Sequence, residues 1–177
     1  MAIVKKPARS AATRTRLGRS ALALCATAAL TATAADAAQD DDCLDTKEIS
    51  EEITLEGFRD IAVDAAAGSL TIVGRPALRT VRVRGLACAR RDGDLEKISL
   101  ESNIDGTTLT LRTVLPPVIR DRLGNLNAKL DLVVEMPSDL ALRVVDTTGS
   151  MKVSDVASVD IEDETGSIQV RDVPGLV

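Results

Sequence analysis

The sequence predicts an all-β protein, and three observations carry this prediction. Apolar and polar residues alternate with a period of two from Ile53 onward, as in Val81-Arg82-Val83-Arg84. Alternation of this kind places one face of a strand in a core and the other in water. Turn-forming pairs separate the alternating segments, and Asp105-Gly106 between two of them is a strong hairpin signal. A Gly-Ser motif also recurs at a fixed spacing near the C-terminus.

Residues 1–37 have the pattern of a cleaved secretory signal peptide. The first nineteen positions hold six basic residues and no acid. An apolar small-residue stretch runs from Ala21 to about Ala35, and Ala35-Asp36-Ala37 fits the small-x-small cleavage pattern. A retained membrane anchor is the alternative, but a span needs about 20 predominantly apolar residues, and this stretch is shorter and rich in threonine. The sequence therefore predicts export to the periplasm or cell surface, with residues 38–52 as an acidic leader and 53–177 as the folded domain.

The charge of the chain changes when the signal peptide is removed. Six basic residues and one acid leave, so that 16 basic and 26 acidic residues remain and the net charge becomes −10. Proteins bind nucleic acid largely by neutralising phosphates with lysine and arginine. The sequence therefore predicts that nucleic acid is not a partner.

Two cysteines, Cys43 and Cys88, remain after Cys25 leaves with the signal peptide. An even pair in an oxidising compartment favours one disulfide, with two buried free thiols as the alternative. A bridge that closes a loop of this length stabilises a fold by about 4 kcal/mol in the chain-entropy model. Two cysteines in a chain without histidine do not make an ordinary zinc site, so we expect no metal.

The residue types that the chain lacks limit the kinds of catalytic and binding site that it can form. It has no histidine, and Phe58 is its single aromatic residue. Ser–His and Cys–His catalysis are therefore excluded, as are the aromatic platforms on which bases stack. Carboxylates remain as candidates for a glycan-active enzyme, which needs two of them about 5 to 10 Å apart in one cleft. The candidate carboxylates, which lie on or near predicted strands, are Asp131, Glu135, Glu162 and Asp163. On balance, the sequence favours a protein that is not an enzyme and has no cofactor.

One segment, Val114 to Gly124, interrupts the strand pattern. Pro117 suits the first position of a helix, and Gly124 suits the position just past its end. The sequence predicts a loop with one or two helical turns here. Such a loop either carries a functional site or caps one end of the core.

The clearest pattern is an internal repeat. Val144–Val156 aligns without a gap with Ile161–Val173 at an offset of 17 residues, and Val63–Gly74 is a weaker copy. Each unit reads as strand, Gly-Ser turn and strand, with glycine supplying a conformation that other residues reach only with strain. A nucleophilic or anion-binding role is the alternative, but turns recur in every copy of a repeat whereas active sites rarely do. We therefore predict structural turns at Gly68, Ser69, Gly149, Ser150, Gly166 and Ser167.

Repeats of this type bury their apolar faces by stacking. One unit cannot do so alone, and arrays therefore need neighbours and end caps. Leu176 falls one period after Val159, so a further unit begins and breaks off. The sequence predicts a short-strand roll or a β-solenoid or β-helix-like repeat. Its array is either incomplete at the C-terminus or pairs its edge strand with a partner or a second copy.

These units resemble the bacterial putative-adhesin family, an exported β-strand-repeat domain of unknown function. The resemblance extends from Ile53 to Val177, with Met136-Pro137 and Cys88 after a Val-Arg-Val-Arg strand as further points of likeness. It implies a non-enzymatic cell-envelope module that binds a protein or another envelope macromolecule. A structural or envelope-stress component of the periplasm is the alternative. The resemblance brings no functional residues with it.

Overall fold

The computed structural model describes residues 43–54, 57–91, 93–117 and 126–176. The predicted signal peptide, residues 38–42 of the leader and residues 118–125 of the predicted helical loop lie outside this part of the chain. Within it, no helix is long and apolar enough to cross a membrane.

The described residues form strands almost throughout, which confirms the all-β prediction. A single 3₁₀ turn, Leu95–Lys97, interrupts them. In chain order the strands are β1 Asp45–Thr54, β2 Asp60–Arg75, β3 Thr80–Ala89, β4 Ser99–Asp105, β5 Thr108–Val114, β6 Ala128–Pro137, β7 Ala141–Ser154, β8 Ser158–Asp163, β9 Gly166–Arg171 and β10 Gly175–Leu176.

All of these strands belong to one curled mixed sheet in the order β1-β3-β6-β2-β7-β8-β10. Strands β1, β3 and β6 pair antiparallel, whereas β6, β2, β7, β8 and β10 pair parallel. The hairpin β4–β5 joins β2 through β5, and β9 pairs with the second half of β7. The hairpin that Asp105-Gly106 predicts is present, with Asp105 opposite Thr108.

The core is aliphatic and is built from the inward rows of the alternating strands. Val81 and Val83 are fully buried, while Arg82 and Arg84 between them are exposed. Phe58, the one aromatic residue, packs against this core while only partly buried. Burial of apolar surface contributes about 25 cal/mol per Å², so the aliphatic rows supply the main driving force for folding.

The acidic leader is shorter than the sequence predicts. Residues 45–52 belong to β1, which pairs with β3 along its whole length. The prediction that the leader extends to residue 52 was wrong because the charged Lys47 occupies an inward position, so that apolar and polar residues do not alternate visibly in this segment. Its Nζ donates to the carbonyl oxygens of Ile98 at 2.7 Å and Leu95 at 3.4 Å. A long side chain whose ammonium finds such acceptors can take an inward position at a sheet edge.

A disulfide joins Cys43, just before β1, to Cys88 in β3. The two Cα atoms are 5.5 Å apart, and 45 residues separate the cysteines in sequence. The bond therefore fixes the start of the edge strand β1 to its neighbour.

Candidate functional site

The sequence repeat becomes a ladder of parallel strands. Ile61, Leu142 and Val159 lie side by side on β2, β7 and β8. Gly68, Gly149 and Gly166 likewise form one row across β2, β7 and β9. From β7 to β8 and β9, an offset of 17 residues in sequence therefore equals one strand spacing, about 4.8 Å, in space.

The three glycines of this row lie where neighbouring backbones come too close for a side chain. A Cβ on Gly149 would lie within 3.0 Å of the Gly68 carbonyl, and one on Gly166 within 3.0 Å of the Gly149 carbonyl. Gly68 and Gly149 also have φ angles of 136° and 154°. Strands β2 and β7 run on through these two glycines, so the first two Gly-Ser pairs lie within strands, whereas the third begins β9.

The serines that follow the glycines are exposed and occupy one outward row. Ser69 donates from its backbone nitrogen and from Oγ to Asp131 Oδ1, at 2.6 and 2.9 Å. These bonds attach β2 to β6. A serine that donates both of its hydrogen bonds to a carboxylate holds the fold together, and the same arrangement disfavours an anion at this position.

A pair of acids lies on the ladder beside the glycine row. Asp146 and Asp163 are neighbours in register on β7 and β8, and Asp146 is only 2% exposed. Burial raises the pKa of Asp146; hydrogen bonds from the Thr147 and Thr148 amides oppose this rise, and the charge of Asp163 adds to it. Asp163 Oδ1 is buried without a hydrogen-bond partner in the described structure.

We expect Asp146→Asn to stabilise the protein at neutral pH. An acid with a raised folded-state pKa contributes stability that is present below its unfolded pKa and is lost as the pH rises through the folded value. Asparagine keeps an oxygen for the Thr147 amide and carries no charge, so it removes the cost of burying a charged group and the repulsion from Asp163. The repulsion alone is worth about 0.2–1 kcal/mol. Urea unfolding should show this gain at pH 7 and none at pH 3, below the ordinary aspartate pKa of about 3.9.

The matched control for this prediction is Asp160→Asn on the neighbouring strand β8, where the aspartate is exposed. It should change the free energy of unfolding little at either pH. A loss of stability in Asp146→Asn at pH 7 would contradict the like-charge account of this pair.

Three of the four carboxylates that the sequence offers to an enzyme take part in other contacts. Glu135 pairs with Arg75 at 3.1 Å, Glu162 pairs with Arg143 at 2.8 Å, and Asp131 holds Ser69. Asp131 and Glu135 are four residues apart on one strand, or about 13 Å. Glu162 and Asp163 are consecutive on a strand and point to opposite faces. In the described part of the chain, no group of three or more Cys, Asp or Glu side chains is placed to hold a metal ion.

A groove of about 450 Å³ crosses the outer face of β1, β3 and β6 and reaches β2. Two apolar side chains are exposed in it, Leu86 at 39% and Val133 at 45%. This groove was not predicted from the sequence. A signal was present, because Leu86 and Val133 lie at outward positions, where the alternation of these strands otherwise places polar residues. The outer groove is lined by Glu48, Ile49, Ser50, Ser69, Arg84, Gly85, Leu86, Asp131, Leu132 and Val133.

Comparison with solved structures identifies the class of fold. The chain is similar to the crystal structure of a "putative cell adhesion protein" from Clostridium sporogenes, with a TM-score of 0.52 and 12% sequence identity over 69% of this chain and 59% of the other. "Putative adhesin" structures from Parabacteroides distasonis and Parabacteroides merdae match with TM-scores of 0.33, 12% identity and coverage of 70% of this chain and 56% of theirs. Scores at this lower level do not establish a shared fold.

The resemblance to the putative-adhesin family is therefore confirmed at the level of the fold. The chain spans less than two thirds of the length of these solved structures. No protein-family model matches it, and no curated protein matches it in sequence.

Proposed function

We propose that this protein is a non-enzymatic, exported module of the cell envelope that binds a protein or another envelope macromolecule through a strand edge. The fold it shares with the "putative cell adhesion protein" from Clostridium sporogenes supports this proposal. The disulfide supports an exported location, because such bonds persist in oxidising compartments. The N-terminal segment 1–37 would direct the export and be removed by it.

The observation that carries the proposal is the edge strand β4. Among the described residues, only β5 pairs with it. Its residues from Glu101 to Asp105 are exposed, and Ile104 is exposed at 55%. An unpaired strand edge offers a row of backbone donors and acceptors to an incoming strand, and an exposed apolar side chain beside it supplies contact area.

We expect Ile104→Lys to abolish binding without unfolding the protein. The purified protein is immobilised, and the retention of solubilised envelope material is measured for the wild type and the variant. A lysine on an edge strand disfavours strand addition, so we expect at least a tenfold loss of retention. The free energy of unfolding should change by no more than about 0.5 kcal/mol, because the site is on the surface.

Thr107→Lys is the matched control, since it adds the same charge at an exposed turn of the same hairpin. It should bind as the wild type does. Equal retention by Ile104→Lys and the wild type would disprove the role of this edge. Sedimentation at rising concentration tests a second copy as the partner: self-association that Ile104→Lys removes would identify it.

A further inference from the structure

The outer groove lies where two exceptions to the strand pattern meet. The outward rows of β3 and β6 otherwise carry charged residues, as at Arg82 and Glu135. Leu86 and Val133 break these rows on neighbouring strands, and both line the groove. Single exposed apolar residues are ordinary, whereas two that meet in one concave surface offer an apolar wall to a ligand.

The dimensions of the groove suit a small elongated molecule. It is lined by residues of β1, β3 and β6 and by Ser69 of β2, so it crosses four neighbouring strands. Three strand spacings amount to about 14 Å. Its volume of about 450 Å³ falls in the range of ligand pockets, about 300 to 1,000 Å³.

Arg84 places a positive charge beside the apolar residues of the groove. It lies directly opposite Val133, and its side chain makes no hydrogen bond or ion pair with any described residue. The neighbouring Arg82, on the same face of β3, is by contrast paired with Glu52 at 3.2 Å. An arginine without a partner beside an apolar surface is suited to a carboxylate or phosphate, which its planar fork binds through two parallel hydrogen bonds.

We propose that the outer groove binds a free single-chain amphiphile with an anionic head group. The head lies at Arg84, and the apolar chain crosses Val133 and Leu86. This site is separate from the edge strand β4, so it extends the proposed function and does not depend on it.

The acids of the groove fix the direction of the ligand. Asp131 is already compensated by Ser69 and by Lys129, whose Nζ lies 3.4 Å from its Oδ2. Glu48 lies opposite Leu86, in the row of residues next to the row that holds Arg84. An anionic head group is disfavoured in the row of Glu48, Leu86 and Asp131, which leaves that row to the apolar tail.

The test uses the whole purified protein and a dansyl-labelled undecanoate as a fluorescent probe. The chain has no tryptophan or tyrosine, so the probe is free of background emission. Decanoate, decanol and decyltrimethylammonium then compete for the probe below their micelle-forming concentrations. We expect decanoate to bind about tenfold more tightly than decanol, because only the carboxylate engages Arg84.

Substitutions separate the head from the tail. Arg84→Gln should weaken decanoate about tenfold to the level of decanol and leave decanol unchanged. Leu86→Thr and Val133→Thr should weaken all three competitors. Arg79→Gln, at an exposed arginine outside the groove, is the matched control and should change nothing. Unfolding curves check that each variant is folded.

Three results would overturn the proposal. These are the absence of saturable probe binding, equal decanoate affinity in Arg84→Gln and the wild type, and no effect of either threonine variant.

Sedimentation with phosphatidylglycerol vesicles distinguishes a membrane surface from a free amphiphile. We expect no co-sedimentation, and binding to vesicles without binding of decanoate would also overturn the proposal. The Ile104→Lys assay on β4 stands independently of each of these outcomes.

Discussion

Replacing Gly149 with alanine should cost the protein a large part of its stability. The new Cβ would meet the Gly68 carbonyl, and a backbone atom in the middle of a ladder cannot move aside as a flexible side chain can. The φ angle of 154° adds backbone strain. Together, overpacking and an unfavourable backbone conformation cost about 3–5 kcal/mol, out of a total that is about 5–15 kcal/mol for most domains.

Urea unfolding of Gly149→Ala measures this loss, and Gly106→Ala is the matched control. Gly106 also has a positive φ, 59°, but no atom lies within 4 Å of its Cβ position. Its substitution should therefore cost only the backbone term, about 1–2 kcal/mol. Similar losses at the two positions would show that close approach between strands is not what requires glycine at Gly149.

Removing the disulfide should cost about 4 kcal/mol. The bond closes a loop of 45 residues, and in the chain-entropy model a loop of that length restricts the unfolded chain by this amount. The double substitution Cys43→Ala, Cys88→Ala and chemical reduction of the wild type should lower the urea midpoint by similar amounts. The reduced protein should also lose protection from hydrogen exchange first in β1, since the bond fixes the start of that strand.

Reductant added to the double variant is the control for this experiment, and it should have no effect. If reduction left the urea midpoint of the wild type unchanged, the restriction of the unfolded chain would not be the source of stability. A loss of protection spread evenly over the sheet would show that β1 does not depend on the bond more than other strands do.

Local patterns in the sequence predict the strands because the forces involved are local. The alternation around Val81 and Val83 indicates that one face of the strand is buried. The pair Asp105-Gly106 indicates a tight turn, because its residues favour the backbone conformation of such turns. Strand β1 shows where this reasoning fails. Its inward lysine, Lys47, depends on carbonyl oxygens of residues 95 and 98, which no local pattern reveals.

The repeat predicts more than single strands because it carries information about distant pairs. Asp146 aligns with Asp163 in sequence, and the two are neighbours in register on the sheet. The outer groove has no such signal. Leu86 and Val133 come together only because β3 and β6 pair, and that register depends on the packing of the whole core.

The ladder also constrains how the length of such a protein can change. One period of 17 residues advances the chain by one strand spacing, so the gain or loss of a complete period leaves the inward and outward sides of every other strand as they were. A single inserted residue in a strand instead exchanges its two faces and exposes its share of the core. Length variation in this fold is therefore expected in quantised steps of whole periods, with smaller insertions confined to the connections between strands.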